Sequence, residues 1–167
     1  MSELWMSRRG ELGDAAREPV IGFTGGLFLV LVGMFVPLFA TDGGGEDRQT
    51  YSLFALREEG IVGFWLLLAT VVVLTVVALA FPQRFASSAL GTCTMTLTFA
   101  MVIGEVLVIA TGYARLIARV EAREHAKAWS SGTHTVDMLP WLLAPILGMA
   151  IVTACVIAWW SRTARKH

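Results

Sequence analysis

The sequence predicts an all-α integral membrane protein, a four-helix bundle whose helices run up and down, antiparallel, across a bilayer. Four apolar runs of about 20 residues each match the length that a helix needs to cross a hydrocarbon core about 30 Å thick. Hydrophobic residues make up 56% of the 167 residues and charged residues only 16%. Soluble domains are roughly 45–50% apolar and 25% charged. The charges fall almost entirely outside the runs, which span residues 19–40, 60–81, 88–111 and 138–160.

The first run predicts a helix with a face made for close packing. Gly22 and Gly26 form a GxxxG pair, and Gly33 falls near the same face of the helix. Glycines in such positions let another helix approach closely, which replaces the hydrophobic drive that lipid removes. The partner is either another helix of this chain or a second copy of it. Pro37 near the end of the run predicts a kink or the end of the helix.

The segments between the runs are predicted to be polar loops, at residues 41–59 and 112–137. The first loop opens with Thr-Asp-Gly-Gly-Gly, which is typical of a flexible turn, and its acidic spacing matches no EF-hand. The second run, residues 60–81, consists almost wholly of Val, Leu and Ala and predicts a helix that faces lipid widely. We therefore expect a single membrane domain covering residues 1–167.

The third helix is predicted to extend beyond the bilayer. After the run at residues 88–111 the sequence continues as YARLIARVEAREHAKAW, which is rich in the good helix formers Ala, Arg and Glu. We expect this helix to continue to about Trp129. The fourth run then begins near Met138, with Pro140 in its first turn.

Basic residues only weakly decide the orientation of the bundle. Four spans put both termini on one side, which then carries seven of the 13 Lys and Arg residues and leaves six on the other. A tight basic cluster at the C-terminus and a net acidic first loop favour the termini on the cytoplasmic side. We expect a multi-pass protein of the bacterial inner membrane with cytoplasmic termini.

Glu105 is the only acidic residue well inside an apolar run and is the main candidate for a functional group. A carboxylate at that depth costs about 2.5 kcal/mol or more on insertion scales, so the side chain is expected to face the bundle. Desolvation there favours its protonated form. Thr98 and Thr94 precede it on the same helical face, so the three residues predict an ion or proton site.

Three interpretations of Glu105 remain open from the sequence. It is a proton or cation site flanked by Thr98 and Met101, or it fixes helix packing as a protonated or hydrogen-bonded group, bonded to Thr or Trp on helix 1 or 4. The third interpretation is contact with a cationic residue of a partner subunit.

The remaining inventory predicts no metal site, no cofactor and no enzyme activity. The three histidines lie outside the runs, which excludes a bis-histidine haem within the bundle. No nucleophile elbow, P-loop or zinc motif is present. The net charge is zero, which gives no indication of nucleic-acid binding.

These features favour a non-catalytic membrane protein that is an accessory or assembly subunit of a larger complex, such as a transporter. Besides the lipid bilayer, its expected partners are a membrane protein or further copies of itself. The alternative is a small oligomeric proton- or cation-coupled transporter or channel that uses Glu105. The overall pattern resembles that of many small four-span membrane proteins of high-GC bacteria. Size and span count are also similar to those of the small subunits of tripartite transporters, without a shared motif.

Overall fold

The computed structural model is mostly helical, and it also contains a small three-stranded sheet that the sequence did not predict. It describes residues 20–43, 46–57, 61, 63–80, 88–126 and 134–164. The chain termini and the first residues of the predicted runs 19–40 and 60–81 lie outside these ranges. The helices are α1 (Val20–Phe35), α2 (Leu53–Leu56), α3 (Phe64–Ala80), α4 (Ser88–Ala126) and α5 (Leu143–Ala164), the last preceded by a 3-10 turn at Pro140–Leu142.

The first helix ends earlier than its apolar run, which was predicted to continue as helix to residue 40. Helix α1 ends at Phe35, and Pro37–Gly43 form strand β1 instead. Proline lacks the N–H that a helix interior needs, its ring clashes with the preceding turn, and it pushes the residue before it out of the helical region. Of the two outcomes expected at Pro37, the helix ends rather than kinks.

Strand β1 is the centre of an antiparallel sheet with the order β2-β1-β3, where β2 is Glu46–Ser52 and β3 is His134–Met138. Phe39 in β1 pairs with Tyr51 in β2 and with Met138 in β3. Both segments that were predicted as polar loops therefore contribute a strand. The loop prediction failed for β3 because its pairing with β1 joins residues that are remote in sequence, and for β2 because its residues, EDRQTYS, are polar like those of a loop.

The long helices pack in antiparallel pairs. Cys155 fills the space beside Gly22, and Pro145 fills the space beside Gly33, so α1 and α5 run in opposite directions. In the second pair, Gly104 of α4 faces Leu67 of α3, and Gly63, just before α3, faces Val108. Helix α4 also contacts α5.

These directions define two ends of the molecule. At one end, here called the capped end, α1 stops and α3 and α5 begin. A cap that consists of the sheet and α2 lies against α4 there. At the far end α1 and α4 begin and α5 ends. The aromatic rings of Phe35, Phe54 and Phe64 join α1, α2 and α3 at the capped end, with centroids 5.2 and 6.1 Å apart.

Two of the described helices have the length and composition of a membrane span. Gly91–Ala122 and Pro140–Ser161 are long and apolar enough to cross a bilayer, and the apolar helices Val20–Phe35 and Phe64–Ala80 are shorter. Helix α4 runs without a break to Ala126, close to the predicted end near Trp129, which lies outside the described residues.

Candidate functional site

The inward face of α4 is a narrow stripe of residues spaced three and four apart. This is the spacing of the packing seam between supercoiled helices. Helix α3 shows the same spacing in its own buried residues from Phe64 to Ala78. Those of α4 are Gly91, Thr94, Thr98, Met101, Glu105, Val108, Gly112 and Leu116.

Glu105 lies in the middle of this stripe and is completely buried, with 0% of its surface exposed. Its neighbours on the stripe, Met101 and Val108, both belong to the apolar core. Neither carboxyl oxygen has a hydrogen-bond partner among the described residues. Because an unpaired charge is far more costly to bury than an unpaired neutral group, the protonated form is the favoured one in this position.

The two threonines predicted to flank Glu105 share its face without bonding to it. Thr98 is buried and its hydroxyl donates to the backbone carbonyl oxygen of Thr94 at 2.8 Å. Thr98 precedes Glu105 by seven residues, or about 10 Å along the helix axis, and Thr94 by eleven residues, or about 16 Å. The three residues thus form a line along α4 rather than a compact cluster.

The two halves of the stripe differ in polarity. Towards the far end it carries the hydroxyls of Thr98 and Thr94, and Thr94, Thr98 and Glu105 are the buried polar residues among those described. Towards the capped end it carries Val108, Gly112 and Leu116. The half towards the far end therefore carries two buried hydroxyls, with apolar Met101 between them and Glu105, and the half towards the capped end carries none.

The capped end is sealed by an apolar layer that sits directly on α4. A Cβ atom built on Gly112 would lie 3.4–3.7 Å from the side chains of Ile61, Leu56 and Leu53. Phe39 of the central strand is buried, and its ring centroid lies 6.1 Å from that of Tyr113 on α4. Water approaching Glu105 from the capped end would have to cross this layer.

The glycines predicted for helix packing all lie against α5. Cβ atoms built on Gly22, Gly26 and Gly33 would meet Cys155, Val152 and Pro145 at 2.9, 2.6 and 2.7 Å. The neighbour of this glycine face is therefore α5 of the same chain, which was one of the two possibilities that the sequence left open.

Two close contacts of α5 were missed from the sequence. Gly148 lies so near α1 that an added Cβ would be 2.7 Å from the backbone oxygen of Gly26, and Trp159 packs onto Gly91 of α4. The small-xxx-small pair Ala144–Gly148 is a signal that could have indicated the first contact. Among the residues that the structure describes, no group of three or more His, Cys, Asp or Glu side chains is placed to hold a metal ion.

Comparison with known proteins does not assign this chain to a family. No protein-family model matches it, and neither the curated proteins nor the solved structures contain a match. Its function has to be inferred from its own residues.

Proposed function

We propose that this chain is a non-catalytic, polytopic membrane protein that acts as an accessory or assembly subunit of a larger membrane complex, such as a transporter. Its four long helices cross a bacterial inner membrane as an antiparallel bundle with cytoplasmic termini. The main observation behind the proposed membrane location is the distribution of polar and apolar side chains. Apolar side chains cover the outer surfaces of the helices, and the buried polar groups lie inside the bundle.

The exposed surface of the helices is the first support for this location. Each long helix exposes large apolar side chains, among them Phe28 on α1, Leu66 on α3, Ile103 on α4 and Leu147 on α5. The core helix of a soluble protein is mostly buried. By contrast, only 28% of the most apolar window is buried in each of Gly91–Ala122 and Pro140–Ser161. Exposed apolar patches of this extent indicate a lipid or protein neighbour.

Tryptophans support the same location by their spacing. Trp141, in the 3-10 turn just before α5, is 60% exposed, and Trp160 near the far end of α5 is 45% exposed. Trp160 follows Trp141 by nineteen positions, or about 28 Å at helical rise, which is close to the thickness of the hydrocarbon core. Tryptophan is enriched at both interfaces of a bilayer, where its ring meets the headgroups.

The length of α4 supports the proposal that part of this helix lies outside the bilayer. Its 39 residues span about 58 Å, nearly twice the hydrocarbon thickness. Its C-terminal turns, with Arg115, Arg119 and Glu121, then project at the capped end beside the sheet. With the termini in the cytoplasm, this cap faces the opposite side of the membrane.

A row of small residues on the outer face of α5 supports a subunit role. Ala150, Ala154 and Ala158 are four residues apart and exposed, on the side of α5 away from Gly148. Small-xxx-small rows let helices in membranes approach closely, because little side chain separates the backbones. A helix of a larger membrane protein could seat on this row.

Replacing Ala154 with leucine is expected to release the larger complex without unfolding the bundle. The exposed leucine would hold a partner helix away, whereas lipid accommodates it. The measurement is native mass spectrometry of the protein extracted from its own membrane in mild detergent. Ala69→Leu is the matched control, since Ala69 is exposed on α3. A wild-type protein that is extracted as a lone monomer would contradict the subunit role, and so would a complex that survives Ala154→Leu.

The buried carboxyl group favours a second candidate function, a small oligomeric proton- or cation-coupled transporter or channel. Glu105→Gln keeps the shape of the side chain and removes its titration, so it is expected to reduce coupled flux in proteoliposomes to the level of empty liposomes. Glu121→Gln, at an exposed position of the same helix, is expected to leave flux unchanged. Unchanged flux in Glu105→Gln would remove this candidate.

A further inference from the structure

We propose that Glu105 is a proton-binding site that fills and empties only from the far end of the bundle, past Thr98 and Thr94. The inference uses the membrane location proposed above and does not require net transport. Its basis is the position of one buried carboxyl group between a half of the helix face that carries two hydroxyls and a half that carries none.

The ligand class follows from what surrounds Glu105. Both oxygens are buried without a described hydrogen-bond partner, so the energetically favoured occupant is a proton held covalently on the carboxyl group. A desolvated metal cation would need several oxygen ligands around it. The nearest hydroxyl along the stripe, on Thr98, already donates to its own helix and lies about 10 Å away along the axis.

Among the described residues, no charged group on the other long helices competes with Glu105 for this role. In the described residues, α1 and α3 carry no titratable side chain, and residues 143–161 of α5 carry only Cys155, which sits beside Gly22 near the far end. On α4 itself, the described titratable groups are Cys93, Tyr113, Arg115, Arg119 and Glu121. Those of the cap are Asp42, Arg48, Tyr51, Arg57 and Asp137, and none of these groups hydrogen-bonds to Glu105.

One-sided access follows from the polarity of the stripe. A hydroxyl keeps acceptor capacity when it donates, so Thr98 can receive a hydrogen bond from water that enters at the far end. On the stripe, the side chain of Met101 then separates Thr98 from Glu105. On the other side, a proton would have to pass Val108, Gly112 and Leu116 beneath the packed side chains of Leu53, Leu56 and Ile61. An apolar layer without hydrogen-bonding groups is a barrier to proton movement.

The test measures the protonation of Glu105 with dicyclohexylcarbodiimide, which modifies protonated carboxyl groups in apolar surroundings. The protein is labelled in native membrane vesicles of known orientation, right-side-out or inverted, with the pH set separately inside and outside. We expect labelling, measured by mass spectrometry, to follow the pH of the compartment at the far end. It should fall about tenfold per pH unit above the titration midpoint. The pH at the capped end should have no effect.

Two matched pairs of variants locate the site and the route. Glu105→Gln should abolish the label and Glu121→Gln should keep it. Thr98→Val should slow the response of the label to a pH jump at the far end relative to the wild-type protein. Thr96→Val should not slow it, although the hydroxyl of Thr96 also donates to its own helix, because Thr96 is exposed. The Thr98 pair keeps the test valid if Glu105→Gln fails to fold.

Several outcomes would overturn the inference. Labelling that follows the pH of the capped end, or of both compartments equally, would show that the apolar layer is no barrier. Protection of Glu105 by sodium or potassium at constant pH would replace the proton by a cation. Loss of the protein from the vesicles in an alkaline carbonate wash would instead refute the membrane location, which keeps the two failures distinct.

Discussion

Replacing Gly148 with alanine is expected to destabilise the protein by about 3 kcal/mol, the upper end of the usual cost of overpacking. The new Cβ atom would lie 2.7 Å from the backbone oxygen of Gly26 and 2.8 Å from the backbone nitrogen of Val30. Backbone atoms cannot rotate away as a side chain can, so α1 and α5 would have to separate. The measurement is thermal or chemical unfolding in detergent, monitored by circular dichroism.

Gly25→Ala is the matched control for this prediction. Nothing lies within 4 Å of a Cβ atom built on Gly25, which is exposed on α1. Alanine favours a helix over glycine by about 0.5–1 kcal/mol, so this variant is expected to be neutral or slightly more stable. Equal destabilisation by both substitutions would show that the crossing of α1 and α5 is not as close as described.

The mostly helical character of the chain could be predicted because it depends on local composition. The runs in which α3 and most of α5 lie are apolar over nearly their whole length, and the good helix formers after residue 111 indicated that α4 continues. The sheet could not be predicted in the same way. In β1 the consecutive residues Leu38, Phe39 and Ala40 are all buried, which hides the alternation by which a strand is recognised.

The sheet also depends on partners that no local pattern identifies. Strand β1 pairs with residues 46–52 and with residues 134–138, the latter following α3 and α4 in the chain. The residues of β2, EDRQTYS, are polar and typical of a solvated loop. Strand propensity depends on such tertiary context more than helix propensity does.

For the candidate site, the sequence predicted the central residue better than it predicted the surroundings of that residue. The insertion cost of a carboxylate predicts that Glu105 faces inward, and it is fully buried in the structure. That its oxygens have no described partner depends on how α3 and α5 pack against α4, which the sequence does not define. The apolar layer near Gly112 could not be foreseen, because it exists only once the sheet and α2 are placed against α4.

Replacing Phe39 with alanine is expected to cost about 3–5 kcal/mol and to loosen the cap more than the helices. Phe39 is fully buried in the central strand, between Tyr51 and Met138 in the sheet and near Tyr113 on α4. Its removal leaves a cavity where the sheet meets that helix. The measurement is hydrogen exchange at the backbone amides, which should accelerate in β1, β2 and β3 and remain slow in α3 and in the middle of α4.

Met138→Ala is the control, since Met138 is the β3 neighbour of Phe39 but is 52% exposed, and it should change exchange little. If the cap is what isolates Glu105 from the capped end, Phe39→Ala should also make carbodiimide labelling respond to the pH on that side. Faster exchange in the sheet without a change in the sidedness of labelling would mean that the barrier lies deeper, at Val108 and Gly112. Uniformly faster exchange over all helices would mean that the sheet and the helices unfold as one cooperative unit.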